Sequence, residues 1–123
     1  MSKEYWKPGN MLYPVPAVMV SCGREGETPN IITVAWAGTI CSDPAMVSIS
    51  IRKERFSHSI IRDTGEFVIN LVNKRLVRAT DYCGVKSGRD VDKFKETRLP
   101  PQASRYVKAP GVEESPVNIE CKV

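Results

Sequence analysis

Histidine is nearly absent from this chain, long apolar runs are missing, and its cysteines stand far apart. His58 is the single imidazole. A histidine-built metal site is therefore not expected, and no Ser/His/Asp or Cys/His pairing is indicated. The longest apolar runs, Val15 to Val20 and Phe67 to Val72, are strand-sized. A membrane-spanning helix would need about 20 such residues. The start, Met-Ser-Lys-Glu-Tyr-Trp-Lys-Pro, has no apolar signal-peptide core. The expected location is cytoplasmic, with no membrane partner. Cysteines 22, 41, 83 and 121 include no zinc-knuckle or redox-pair spacing, so four separate thiols are expected. Gly-x-Gly-x-x-Gly and P-loop motifs are missing too, which withdraws support from a Rossmann dinucleotide fold or a triphosphatase.

What is present fits one compact domain over residues 1–123. Hydrophobic residues make up 41% and charged residues 26%, a globular balance. The net charge of +4 is uneven. Residues 52–108 hold fourteen positive groups against seven negative, and both flanks are slightly acidic. A basic middle points to an anionic partner or to nothing beyond a solvated surface.

Turn signals and periodicity divide the chain. Ala17–Cys22 reads as a strand closed by the turn Gly23-Arg-Glu-Gly26, and Asn30–Trp36 as a second, β-branched strand. Met46–Ile51 alternates, with Val47, Ile49 and Ile51 on one face and Met46, Ser48 and Ser50 on the other. The two last-named strands are expected to be neighbours. Phe56–Asp63 predicts a short helix with Ser57 as N-cap and Gly65 as its stop. Phe67–Val72 predicts a central strand, Leu76–Tyr82 a second helix, and Val117–Val123 a last strand. The spacing is too short and irregular for βαβ repeats, so an antiparallel sheet or small barrel with peripheral helices fits best.

Three segments could carry chemistry. Val34-Ala-Trp-Ala-Gly-Thr-Ile-Cys41 runs a strand into small residues, which either let a flat ligand lie on the backbone or mark a glycine bulge. Arg52, Lys53 and Arg55 precede the helix expected at Ser57, beside His58. Cations, a hydroxyl and unpaired N–H groups at a helix start make a phosphate site; the plainer reading is a capped helix beside a basic turn. The stretch from Cys83 to Phe94, with Ser87 and two glycines, is a loop near a site or a surface connection.

Asn30-Ile-Ile-Thr-Val-Ala-Trp-Ala-Gly-Thr, Ser42-Asp-Pro-Ala-Met-Val-Ser-Ile-Ser-Ile and Gly65-Glu-Phe-Val-Ile-Asn-Leu together resemble the flavin reductase-like family. Arg52-Lys-Glu-Arg-Phe-Ser and Cys83-Gly-Val-Lys-Ser-Gly-Arg-Asp-Val-Asp-Lys-Phe place the resemblance in its flavoredoxin-type branch, over roughly residues 8–121. The resemblance implies a mainly β fold, an antiparallel FMN-binding split β-barrel with short peripheral helices, in a homodimer. It implies that the flavin ring lies along Ala35, Trp36, Ala37, Gly38, Thr39, Ile40 and Cys41. Ser50, Arg52, Lys53, Ser57 and His58 would hold the ribityl chain and phosphate, with Ser87 near the cofactor. Family members continue past the strand that ends here, so the barrel is expected to lack its C-terminal strands through truncation.

The function so implied is an FMN-dependent oxidoreductase. Electrons pass from NADH, NADPH or a redox protein through FMN to an acceptor. Chemistry left to a cofactor requires no catalytic side chain. The alternative is a non-catalytic flavin-binding electron-transfer module. Nucleic acid is not an expected partner, because the basic segment lacks a stacking platform of aromatics.

Overall fold

The computed structural model describes all 123 residues. Its centre is β1 (Val18–Cys22), every residue of which is buried. Strand β2 (Asn30–Val34) pairs with it antiparallel, from Val18 opposite Val34 to Cys22 opposite Asn30. On the other side of β1 lies β5 (Glu66–Asn70), followed by β8 (Asn118–Lys122), again antiparallel. The order is thus β2-β1-β5-β8. The expected central position of the 67–72 segment is what β5 occupies.

Both faces of this sheet are covered, which explains why β1 is buried throughout and apolar at all but Ser21, whose hydroxyl bonds to the Pro110 carbonyl. Val18, Val20, Ile32, Val34, Phe67, Ile69 and Cys121 pack on one face. Met19, Ile31, Leu76, Cys83, Phe94, Leu99 and Val112 pack on the other. The second face is closed by a 3-10 turn at Lys74–Leu76, α2 (Val77–Val85) and α3 (Lys93–Thr97). Short strands β6 (Pro101–Gln102) and β7 (Gly111–Val112) form a ribbon of their own.

Strands β3 (Ala37–Ser42) and β4 (Ala45–Ile49) form a detached antiparallel hairpin. This corrects one expectation. Strand β2 ends at Val34 and pairs with β1, so the partner of the 46–51 strand is the small-residue stretch after Trp36. The chain bends at Ala35-Trp36, and only the Ser50 N–H, donating to the Trp36 carbonyl at 2.9 Å, ties β4's exit to the end of β2. The pairing shifts register between Thr39 and Cys41, a bulge that leaves Ile40 unpaired and exposed.

Helix α1 (Phe56–Thr64) packs against β1, β2 and β5. Its N-cap is Arg55 in extended conformation, without a side-chain cap, so Ser57 does not cap it. Ser57 lies inside the first turn, fully buried, where its Oγ accepts a 2.8 Å bond from the Asn30 amide. Gly65 ends the helix at φ 67°, its N–H donating to the Ile61 carbonyl. That left-handed geometry favours glycine.

Hairpin and sheet face each other like two parts of an incomplete barrel. Between them opens an apolar groove of about 680 Å³, lined by β4, by His58 and Ile61 of α1, and by Phe67 and β8 through Val123. Val47, Ile49 and Ile51 pack toward the core there, half-buried, while Ser48 and Ser50 stay exposed. The architecture is mainly β and antiparallel with short peripheral helices. No helix is long and apolar enough to cross a membrane.

Candidate functional site

A second cleft, of about 310 Å³, is polar. Three segments build it: the β4–α1 turn with the start of α1 (Arg52 to Ser57), the loop after α2 (Lys86 to Arg89), and Lys93 at the start of α3. Asn30 and Ile32 of β2 also line it. The sequence places cations in each of the first two segments, and the fold turns both toward one opening.

Arg52, Arg55, Lys86, Arg89 and Lys93 line the cleft against one carboxylate, Glu54. None of the five cations takes part in an ion pair. The N–H groups of Phe56 and Ser57, the first two of α1, have no acceptor within the chain. Unpaired cations and free donors beside a helix start favour an anion. Lys93 is the most constrained of them. It is 2% exposed, and its Nζ donates at 2.8 Å to the Cys83 carbonyl. Burial lowers its pKa, and the nearby Arg55 charge adds to the effect.

The 86–90 loop is clasped to the start of α1. The Arg89 guanidinium lies 5.8 Å from the centre of the Phe56 ring and donates at 3.0 Å to the Glu54 carbonyl. Ser87 Oγ accepts from the Arg89 N–H at 3.2 Å, and Gly88 passes directly over Asn30 and Phe56. A Cβ at Gly88 would overlap the Asn30 side-chain oxygen and the Phe56 ring edge. Gly88→Ala should therefore lift the loop, lower stability by about 1–3 kcal/mol and weaken any ligand held under it. Thermal unfolding beside a ligand titration checks both effects.

The residues singled out from sequence fall into three places. Arg52, Ser57 and Ser87 line the polar cleft. Lys53 is exposed in the turn and does not line it, and His58 looks the other way, into the apolar groove. Ala35 and Trp36 lead into β3, which carries Ala37, Gly38, Thr39, Ile40 and Cys41. A Cβ at Gly38 would meet nothing within 4 Å, so the backbone there is open to a flat ligand. Ser50, bonded to the Trp36 carbonyl, is two residues from Arg52, so hairpin and cleft are contiguous.

Asn30, Lys86, Arg89 and Lys93 are cleft residues that sequence reasoning missed. Asn30 is hidden at the head of a β-branched run, and the other three sit in a segment without periodicity. The signals for these three were the excess positive charge of residues 52–108 and the non-periodic Cys83–Phe94 segment as a whole, which did not single out their side chains.

The family model for the flavin reductase like domain matches residues 10–123. The chain belongs to the flavin reductase-like family. Its fold is similar to that of the flavoredoxin of Desulfovibrio vulgaris (Miyazaki F), with TM-score 0.92 and 36% identity over 98% of this chain and 66% of that one. The flavoredoxin from Methanosarcina acetivorans gives TM-score 0.84 at 27% identity, covering 98% of this chain and 64% of that one. An uncharacterized protein of Pyrococcus abyssi is 33% identical over 92% of this chain and 64% of its own length. The chain thus spans about two thirds of the length of these relatives. The family and its split-barrel fold are those implied by the motifs.

Proposed function

We propose that the chain binds FMN, with the phosphate in the polar cleft and the ring along the hairpin, and serves as an electron-passing flavoprotein. The observation that carries this reading is the cleft itself: five unpaired cations, one of them buried, around the free N–H groups of a nine-residue helix. A dianionic phosphate suits that charge and a neutral ligand does not. The open backbone at Gly38 and half-exposed Trp36 give a flat ring a bed continuous with the cleft.

Within this reading Arg52, Arg55 and Arg89 bind the phosphate with directional N–H donors. Lys93 supplies a fixed positive charge from beneath, and Ser57 and Asn30 hold each other as the floor. Lys53 adds long-range attraction from the exposed turn. Backbone groups from Ala35 to Cys41 would orient the ring through N–H and C=O contacts. When bound, the flavin would supply hydride and single-electron chemistry, so the chain needs to position rather than to act as acid or base. NADH, NADPH or a redox protein would be the electron donor.

FMN should bind more tightly than riboflavin, which lacks the phosphate. Charge-assisted hydrogen bonds contribute about 1.5–3 kcal/mol each before desolvation, so the preference should be at least about tenfold. Fluorescence titration with both ligands checks this, and equal affinities would overturn the phosphate assignment. Anaerobic mixing of the FMN-loaded protein with NADH or NADPH then separates two roles. Bleaching of the flavin absorbance supports an oxidoreductase, and a flavin that only a redox protein reduces supports an electron-transfer module.

A further inference from the structure

The polar cleft holds more positive charge and more room than one phosphate uses. Five cations line it against the one carboxylate of Glu54, which leaves four positive charges in excess. A phosphate monoester carries about two negative charges at neutral pH. The 310 Å³ of the cleft is about ten times the volume that liquid water allots to one molecule. A group of one phosphorus and four oxygens leaves much of it open.

The surplus is concentrated on one loop. Arg52, Arg55, Arg89 and Lys93 serve the flavin phosphate beside α1, and Lys86 and Ser87 are left without a task. Lys86 is exposed and forms no ion pair. The Ser87 hydroxyl accepts from the Arg89 N–H and keeps its own proton free. The N–H groups of Ser87 and Gly88 have no acceptor within the chain. Three successive residues thus present an ammonium, a hydroxyl and two amides. The loop is also held in place, by Arg89 on the Glu54 carbonyl and by Gly88 against Asn30 and Phe56. So compact a set of donors suits a terminal phosphate, with three free oxygens, better than a diester with one charge per phosphorus.

In dinucleotide sites a carboxylate facing the ribose 2′ position takes the hydroxyl of NADH, and a cation there takes the phosphate of NADPH. The loop's own carboxylate, Asp90, does not line the cleft, and Glu54 belongs to the β4–α1 turn. We infer that Lys86 and Ser87, with the N–H groups of Ser87 and Gly88, form a second anion subsite for the 2′-phosphate of NADPH, which selects NADPH over NADH as electron donor. The inference rests on the flavin reading, because FMN must fill the first phosphate place for the loop to be left to the donor. Either donor gives up the same hydride, two electrons and one proton, to the flavin and leaves as the oxidised dinucleotide. The subsite therefore acts on recognition and leaves the chemistry alike.

Titration calorimetry on the FMN-saturated protein, with NADP+ and NAD+ as probes, tests this by binding alone. NADP+ should bind at least about tenfold more tightly, and added salt should narrow the difference. Lys86→Gln should cut the preference to about threefold or less, and Lys86→Arg should keep it, because a guanidinium also pairs with phosphate. The preference is a ratio within one protein, so a general loss of stability cancels from it. Equal affinities in the wild type would overturn the inference, as would a preference that survives Lys86→Gln. Parallel weakening of both probes by that substitution would put the pyrophosphate at the loop and overturn it too. Protein that takes up no FMN fails before either probe is added, which overturns the flavin reading and the inference together. FMN-loaded protein without a preference overturns the inference alone.

Discussion

Lys93→Met should raise the melting temperature of the ligand-free protein and remove most of its affinity for FMN. The ammonium is 2% exposed, and its bond is to a carbonyl, with no carboxylate to balance the charge. The Cys83 thiol beside it is pushed up to about 11 by burial, so it stays protonated and is no counter-ion. Burial is the main cause that lowers the Lys93 pKa. A lysine whose folded-state pKa is depressed holds its proton less tightly in the folded than in the unfolded chain. It therefore detracts from stability at neutral pH, and stability recovers as pH rises from the folded value toward the unfolded one near 10.4. Methionine keeps the length of the side chain without the charge. The Cys83 carbonyl loses a bond worth about 1 kcal/mol, but replacing buried charge with apolar volume is commonly stabilising by about 1–4 kcal/mol. The expected gain is a few degrees, seen by calorimetry, with a flatter rise of stability on the alkaline side. A bound phosphate reverses the balance, since it gives Lys93 the partner it lacks. FMN should then stabilise the wild type strongly and the variant weakly, with affinity lowered by about ten- to a hundredfold. A variant that binds FMN as well as the wild type would remove Lys93 from the site.

The fold elements that were legible in the sequence are those governed by local periodicity. The largely apolar stretch of β1, the alternation of Val47, Ile49 and Ile51, and the Gly65 stop all follow from spacing and side-chain type, and the structure has them where expected. What escaped depends on residues far apart. Serine after a charged turn is a usual N-cap, but at Ser57 an amide 27 positions away claims the hydroxyl, and the N-cap position falls two residues earlier, on Arg55. Strand β3 opens with alanine and glycine, poor advertisers of a strand, and it exists because β4 lies beside it. At the site, the basic turn before α1 was visible, but its convergence with Lys86, Arg89 and Lys93 is a tertiary event. A lysine in a polar segment gives no sign that it will be buried. The separation of His58 from Ser57 has the same origin, because successive residues of a helix start face different sides of it.

Asn70→Leu should cost the scaffold more stability than any other polar-to-apolar change, about 3–5 kcal/mol. The Asn70 side chain is fully buried at the end of β5 and joins four segments. Its amide donates to the Met19 carbonyl at 3.0 Å, the Ser21 hydroxyl at 3.0 Å and the Val68 carbonyl at 3.2 Å. Its oxygen accepts from the Val112 N–H at 2.9 Å and the Asn118 amide at 2.6 Å. Leucine fills similar volume but strands the Val112 N–H and leaves the Asn118 amide with only the Val112 carbonyl, in a place closed to water. Gly111 shows how closed it is, since a Cβ there would lie 2.8 Å from the Asn118 amide nitrogen. The comparison that decides the matter is Asn73→Ala. Asn73 also accepts two N–H bonds, from Arg75 and Leu76, but at an exposed helix start where water replaces them. That change should cost only about 1 kcal/mol. Urea unfolding of both variants gives the two values side by side, and equal losses would show that burial of the network contributes nothing. Asn70 is not among the residues lining the polar cleft. FMN titrated into the still-folded Asn70→Leu protein in the cold should bind as it does to the wild type, which would assign the loss to the scaffold and leave the site intact.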